Sequence, residues 1–338
     1  MVTFNRAMAR PDPVYRPGPQ GSRFCPYNDP MDKTITTPAP SYLGGLALAI
    51  GGAMLFSAKA VIAKLLYRYH IDAVTLIAFR MLFSLPVFAA VALWKMRGAA
   101  PLSAGDRWRI VGLGLVGYYL SSFLDFLGLR YITVGLERLI LFLTPTFVLL
   151  ISATWLRQHI GRLQWLALAV SYAGIVLVFV HDLQGGGPNV LLGSALVLGS
   201  AAAYAAYLLL SGEMVKRLGA LRLVAYAMCV SSAACLAQYF LLRPAAGLLQ
   251  PLPVYGLSLA NGLLCTVAPV FMTMTAVQRI GAGAALQAGM IGPVSTLFLG
   301  AVILAEPVTS WQLAGTALVL AGIYLLSNAH AAKPRNGN

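Results

Sequence analysis

From residue 43 onwards the chain alternates between apolar runs of about twenty residues and short polar breaks. The runs fall at roughly 43–66, 73–94, 108–130, 133–155, 163–181, 190–211, 221–242, 253–275, 281–304 and 310–328. Each is long enough to cross a hydrocarbon core of about 30 Å as an α-helix. Apolar residues surround the runs instead of forming one stripe, as expected of helices with no polar solvent on any side. The breaks "RGAAPLSAGD", "HDLQGGGPN" and "RPAAGLLQPLP" hold residues that turns use. Only a few polar residues around "RQHIGR" separate the fourth and fifth runs, which makes those two antiparallel neighbours. The pattern predicts an all-α integral membrane protein with ten transmembrane helices.

Composition agrees. Of 338 residues, 59% are hydrophobic and 10% charged, against roughly 25% charged in soluble domains. The net charge of +14 could suit nucleic acid, but the cations lie in short patches between apolar runs and form no basic face. Nucleic acid is therefore not expected as a partner, whereas the lipid bilayer is. Four cysteines show no disulfide or metal spacing. Residues 1–40, rich in Pro, Gly and Arg without the apolar core of a signal peptide, are expected to form a disordered tail. Met31 opens "DKTITTPAPSYLGG" as an alternative start, and residues 328–338 form a C-terminal tail.

Ten spans put both termini on one side. Seventeen basic residues then share that side, against five (Lys64, Arg68, Arg130, Arg138, Arg243) on the other, and without the tail the ratio is twelve to five. The positive-inside rule makes the rich side cytoplasmic, in the inner (plasma) membrane.

The chain also carries a weak copy of itself. "LTPTFVLLISATWLRQHIGRLQWLALAVSYAGIVLV" and "IGPVSTLFLGAVILAEPVTSWQLAGTALVLAGIYLL" align with Pro145 and Pro293 148 residues apart. The same offset joins Gln158 to Glu306, Gly174 to Gly322, Gly45 to Gly193, Phe56 to Tyr204 and Ile132 to Ile280. Five spans per copy is odd, so the second copy enters the membrane from the opposite side. Inverted repeats of this kind recur in secondary transporters with a midplane site. Two such halves, each ending in a Pro-…-Gln/Glu-…-Gln-…-Gly pattern, resemble the EamA domains of the drug/metabolite transporter superfamily. The resemblance covers residues 43–181 and 191–327. It implies export of small metabolites, amino-acid-like or drug-like solutes, through a cavity between the halves, with protons as the candidate coupling ion. Many members carry a glutamate in both copies where this chain has Gln158 and Glu306. A loop carboxylate such as Glu306 is expected to be solvated.

Charges inside the spans are the main chemical candidates, because ionised groups at membrane depth cost several kcal/mol and normally face the bundle interior. Lys59 and Arg80 lie roughly 10–12 Å from the outer ends of their spans at 1.5 Å per residue. Asp125, Glu137 and Arg138 lie nearer that end, and the second copy has no counterpart of the five. Three readings stand side by side. An ionic clasp would pair Arg80 with Asp125 or Glu137. A transport site would use Lys59 and Arg80 for an anion and Asp125 or Glu137 for a proton. Snorkelling would fit Arg138 best. Tyr118, Tyr204 and Tyr207 add polar tips deep in apolar helices, as do Asn261 and Gln287. Pro145 and Pro293, at equivalent positions, are candidates for kinks and gating, and Pro86 and Pro269 for kinks.

No HExxH, GxSxG or Walker A motif is present, so an enzyme is not expected, and neither a metal nor a cofactor is called for. The expected activity is secondary active transport of a small molecule by alternating access, with one chain as the transport unit and its oligomeric state open. A lipid-carrier flippase is the alternative, and an integral membrane enzyme the weaker one.

Overall fold

The computed structural model describes residues 42–97, 101–155, 161–185 and 189–331. The tail 1–40, Gln158 and residues 332–338 lie outside them. Helices run over Tyr42–Tyr67 (α1), Ala73–Met96 (α2), Ala104–Leu129 (α3), Val134–Thr154 (α4), Arg162–Leu183 (α5), Val190–Leu218 (α6), Ala220–Leu242 (α7), Leu252–Gly281 (α8) and Gln287–Leu304 (α9). A tenth, α10, spans Ser310–Ala331 and is apolar over Ser310–Leu325. Nine of the described helices are long and apolar enough to cross a bilayer on their own, and α10 completes ten helical segments. No strand occurs among the described residues.

Helix ends follow from their sequences. Asp72, Ser103 and Thr133 sit in extended backbone and accept from Thr75, Asp106 and Leu136 amides, which satisfies N–H groups with no intrahelical partner. Gly281, at φ 81°, makes the turn that follows α8, a conformation open to glycine at no steric cost.

The main helix contacts recur when the two halves are exchanged. Helix α1 packs on α8 and α9, and α6 packs on α3 and α4; α2 pairs with α7, α5 with α10, and α4 with α9. Small residues make these approaches close. A Cβ on Gly45 would fall on Ile280, and one on Gly193 would fall on Ile132. Likewise Gly174 lies against the Gly315 carbonyl and Gly322 against that of Ala167. Each contact recurs with its partners shifted by 148 residues and the halves swapped, which is the two-fold relation of the two inverted repeats.

Irregularities in the helices recur with the same offset. Helix α3 contains a π-helical segment at Leu115–Leu120 and α8 one at Leu263–Val267. Pro269 follows the second closely and has no N–H for the ladder, but Ser121 stands at the equivalent place in α3, so proline is not their common cause. Helix α4 breaks at Phe142, between Val134–Leu141 and Thr144–Trp155. Helix α9 breaks at Met290, just before Ile291–Leu299. Pro145 and Pro293 lie in the first turn after each break, where a missing N–H is tolerated. Helices α4 and α9 are thus interrupted beside these two prolines. Pro86 lies inside an unbroken α2.

Candidate functional site

The five intramembrane charges come together in the interior. Lys59 is 5% exposed, Arg80 5%, Asp125 2%, Glu137 0% and Arg138 6%. Helices α1, α2, α3 and α4 supply them, and α8 and α9 close the group from the other half.

Lys59 Nζ donates to Asp125 Oδ2 at 2.6 Å, from α1 to α3. Its ammonium also faces the rings of Phe56 and Phe126, 5.0 and 5.3 Å from their centroids. Arg80 does not take the ionic partner expected of a clasp. Its Nε donates to Thr266 Oγ1 at 2.8 Å and its Nη1 to Ser122 Oγ at 3.3 Å, with the guanidinium 5.1 Å from the Phe126 centroid. Lys59 already holds Asp125, so Arg80 is left with neutral partners. Arg138 does not snorkel. It donates from Nη2 to Ser57 Oγ at 2.9 Å and lies over Phe56 and Phe142. Ser57 in turn donates to the Gly292 carbonyl at 3.0 Å, beside the break in α9.

Asp125 and Glu137 are both fully buried among these cations. Asp125 Oδ1 and both Glu137 oxygens are buried and meet no donor among the described residues. A buried acceptor without a donor costs about 1–3 kcal/mol.

Tyr118, Tyr204 and Tyr207 form a second group. The Tyr118 and Tyr207 hydroxyls are 3.3 Å apart, and the three ring centroids lie 5.0 to 6.4 Å from one another. Tyr118 precedes Asp125 by seven residues on α3, a rise of about 10 Å, so the tyrosines and the charges occupy different depths. The offset of 148 relates them: Tyr207 corresponds to Lys59, Tyr204 to Phe56 and Tyr118 to Thr266. The same inter-helix slot is ionic in one half and aromatic in the other.

Glu306 is not left to solvent. It is partly buried and accepts from the Val134 amide at 3.1 Å, capping the first turn of α4. Burial raises its pKa, while nearby Lys64 and the Val134 N–H pull it down. Arg68 Nη2 donates to the Leu304 carbonyl at 3.0 Å and so closes the end of α9. Near the start of α2, a cleft of about 340 Å³ is lined by residues including His70, Asp72, Thr75, Tyr239, Arg243 and Gln250. Arg243 grips Asp72 there, Nη2 to Oδ2 at 2.8 Å. Burial opposes ionisation of Asp72, but hydrogen bonds from Thr75 and Arg243 outweigh it and hold the carboxyl below its usual range.

Thr266, Ser57 and Phe126 do not stand out in the sequence. For Thr266 a signal existed, since it lies one repeat away from Tyr118. Asn261, which was picked out, is fully buried with neither amide atom partnered among the described residues. Gln287 is exposed.

The chain matches the EamA-like transporter family over residues 43–180 and again over 191–328. An uncharacterized transporter of Bacillus subtilis, YcbK, is 31% identical over 283 residues, covering 80% of this chain and 88% of that protein. An uncharacterized transporter of Archaeoglobus fulgidus is 26% identical over 65% of this chain and 78% of its own length. A crystal structure superposes with a TM-score of 0.60 over 87% of this chain and all of its own, at 17% identity, a likeness of fold alone.

Proposed function

The chain belongs to the EamA-like transporter family, and on that premise we propose that it is a proton-coupled secondary transporter exporting a small organic solute. Its moving units are the repeats at 43–181 and 191–327. Both termini face the cytoplasm across the inner membrane, and the two halves expose a site between them to each side in turn.

The observation that carries the coupling is a set of three buried oxygens, Asp125 Oδ1 and both of Glu137, that lack donors. A proton entering from outside bridges one oxygen of each carboxyl and relieves part of that penalty. After the halves rock, the proton leaves inward and the solute leaves outward. Lys59, bonded to Asp125, holds that carboxylate when the proton is gone. Loading and unloading thus alternate between two protonation states of the same buried carboxyls. Breaks in α4 and α9, beside Pro145 and Pro293, supply points where the helix ladder is already interrupted and bending costs least.

Purified protein in liposomes tests this. An imposed pH gradient is expected to drive uphill solute flux in the wild type. Glu137→Gln, which leaves the Lys59–Asp125 bond intact, should abolish uphill flux while leaving solute counterflow in place. If the gradient leaves wild-type flux unchanged, the carboxyl pair has no coupling role.

A further inference from the structure

Three buried cations, Lys59, Arg80 and Arg138, share the interior with two carboxylates, Asp125 and Glu137. One positive charge is in surplus even when both acids are ionised. Lys59 is bonded to Asp125, while Arg80 and Arg138 bond only to neutral partners. Arg138 is tied through Ser57 to the Gly292 carbonyl at the break in α9, and Arg80 stands at the crossing of α2, α3 and α8. We propose that Arg80 is the anchor for an anionic group of the transported solute, a carboxylate, at a site between α2, α3 and α8. This deepens the transporter reading and rests on it.

The guanidinium is held as a prepared donor. Thr266 gives its own proton to the Asn261 carbonyl at 2.9 Å, five residues back across the π-helical turn, so its lone pairs face Arg80 Nε. Ser122 accepts from Nη1, and the Phe126 face fixes the plane. Nη2 meets no acceptor among the described residues. A guanidinium offers five N–H groups in a rigid fork that matches a carboxylate by two parallel bonds. The remaining donors are those of that fork.

The fold itself does not call for a charge here. Gly262 packs on the Arg80 carbonyl, and in the other half Gly114 packs on the carbonyl of Ala227. Ala227, 147 residues on where the offset elsewhere is 148, therefore makes the contact of Arg80 in the second copy, fully buried, and the same crossing forms with a methyl group. The positions equivalent to Lys59, Asp125 and Glu137 are Tyr207, Thr273 and Ala285. An ion confined to one copy of a duplicated crossing serves something other than packing. Lys59 is excluded from the anchor because Asp125 already neutralises it.

The test uses purified full-length protein in detergent, with thermal melting as the readout. The ligands are straight-chain carboxylates from acetate to hexanoate, each beside its neutral amide. Carboxylates are expected to raise the melting temperature and amides are not. Arg80→Lys should weaken the apparent affinity about 10- to 100-fold, the equivalent of one or two charge-assisted hydrogen bonds, and Arg80→Gln should abolish the response. Thr266→Val, which leaves the charge in place and keeps the reading open should the Arg80 variants fail to fold, is expected to weaken binding several-fold. Equal responses to acid and amide, no response to any acid, or an unchanged response in Arg80→Gln overturns the proposal. Proton-driven flux of a solute without an acidic group would overturn it too, yet leave the transporter reading intact. Loss of flux for every solute would strike that reading instead.

Discussion

Tyr118 and Thr266 stand 148 residues apart at the same place in two π-helical segments, and each turns a hydroxyl into the interface between the halves. Tyr118 meets Tyr207 and Thr266 meets Arg80. A π-turn inserts one residue into the ladder and re-aims the side chains it contains. The duplicated fold thus offers two equivalent openings for chemistry, one at each depth. In one of them this chain has placed ions, in the other three aromatic rings.

The Tyr118–Tyr207 contact gives the first prediction. A buried hydroxyl pair contributes about 0.5–1.5 kcal/mol net. Tyr118→Phe and Tyr207→Phe should each lower the melting temperature slightly, and the double variant should lose no more than either alone. Full additivity in that double-mutant cycle would mean that the two hydroxyls do not bond.

Lys59 and Asp125 give a larger effect. Removing one partner of a buried pair leaves an uncompensated charge and costs about 3–5 kcal/mol, whereas replacing both with apolar residues is often close to neutral. Lys59→Met and Asp125→Leu should each lower the melting temperature more than the double variant does. The double variant should fold and yet give no proton-driven flux. If both singles melt like the wild type, the 2.6 Å contact does not hold in the folded protein.

Helix number, the repeat and the set of buried charges were legible because bilayer thickness fixes span length and ions inside spans stand out. Which charges pair was not. Helical spacing gives the face and depth of a residue on its own helix but not what stands opposite. Arg80 finds Thr266 at a separation of 186 residues, in the other half. Counting by i+3 and i+4 also fails beyond a π-turn, where the faces shift by one residue. Glu306 was misread for a different reason: the first turn of α4 needs acceptors for its amides, and a neighbouring loop supplies one.

The Asp72–Arg243 pair ties the start of α2 to the end of α7. Asp72 has a depressed pKa in the folded protein, through its hydrogen bonds with Thr75 and Arg243 overcoming burial. Such a group stabilises the fold above its unfolded pKa of about 3.9, and that contribution is lost as pH falls through the lower folded value. The arginine side chain is 48% exposed, so the pair itself contributes only about 0.2–1 kcal/mol. Asp72→Asn should therefore melt a little below the wild type at pH 7, with the gap closing as pH falls through the lowered folded pKa of Asp72. A gap that widens on acidification would contradict the assignment.

The glycine contacts between halves give the last prediction, and its sign depends on the neighbours. In an open helix position, Gly→Ala stabilises by up to about 1 kcal/mol. At Gly45 the new Cβ would fall on the Ile280 side chain, and at Gly193 on Ile132, Tyr131 and the Gly128 carbonyl. Overpacking of that kind costs about 1–3 kcal/mol, so both alanine variants should be less stable than the wild type. Gly256, with nothing within 4 Å of its Cβ position, is the control and should gain. Ile280→Ala should rescue Gly45→Ala, because the strongest clash there is with that side chain. Ile132→Ala should rescue Gly193→Ala only in part, since the Gly128 carbonyl is backbone and stays where it is. Equal rescue at both sites would mean that the crossing of α3 and α6 is looser than that of α1 and α8, and the two-fold relation between the halves would fail at its closest contacts.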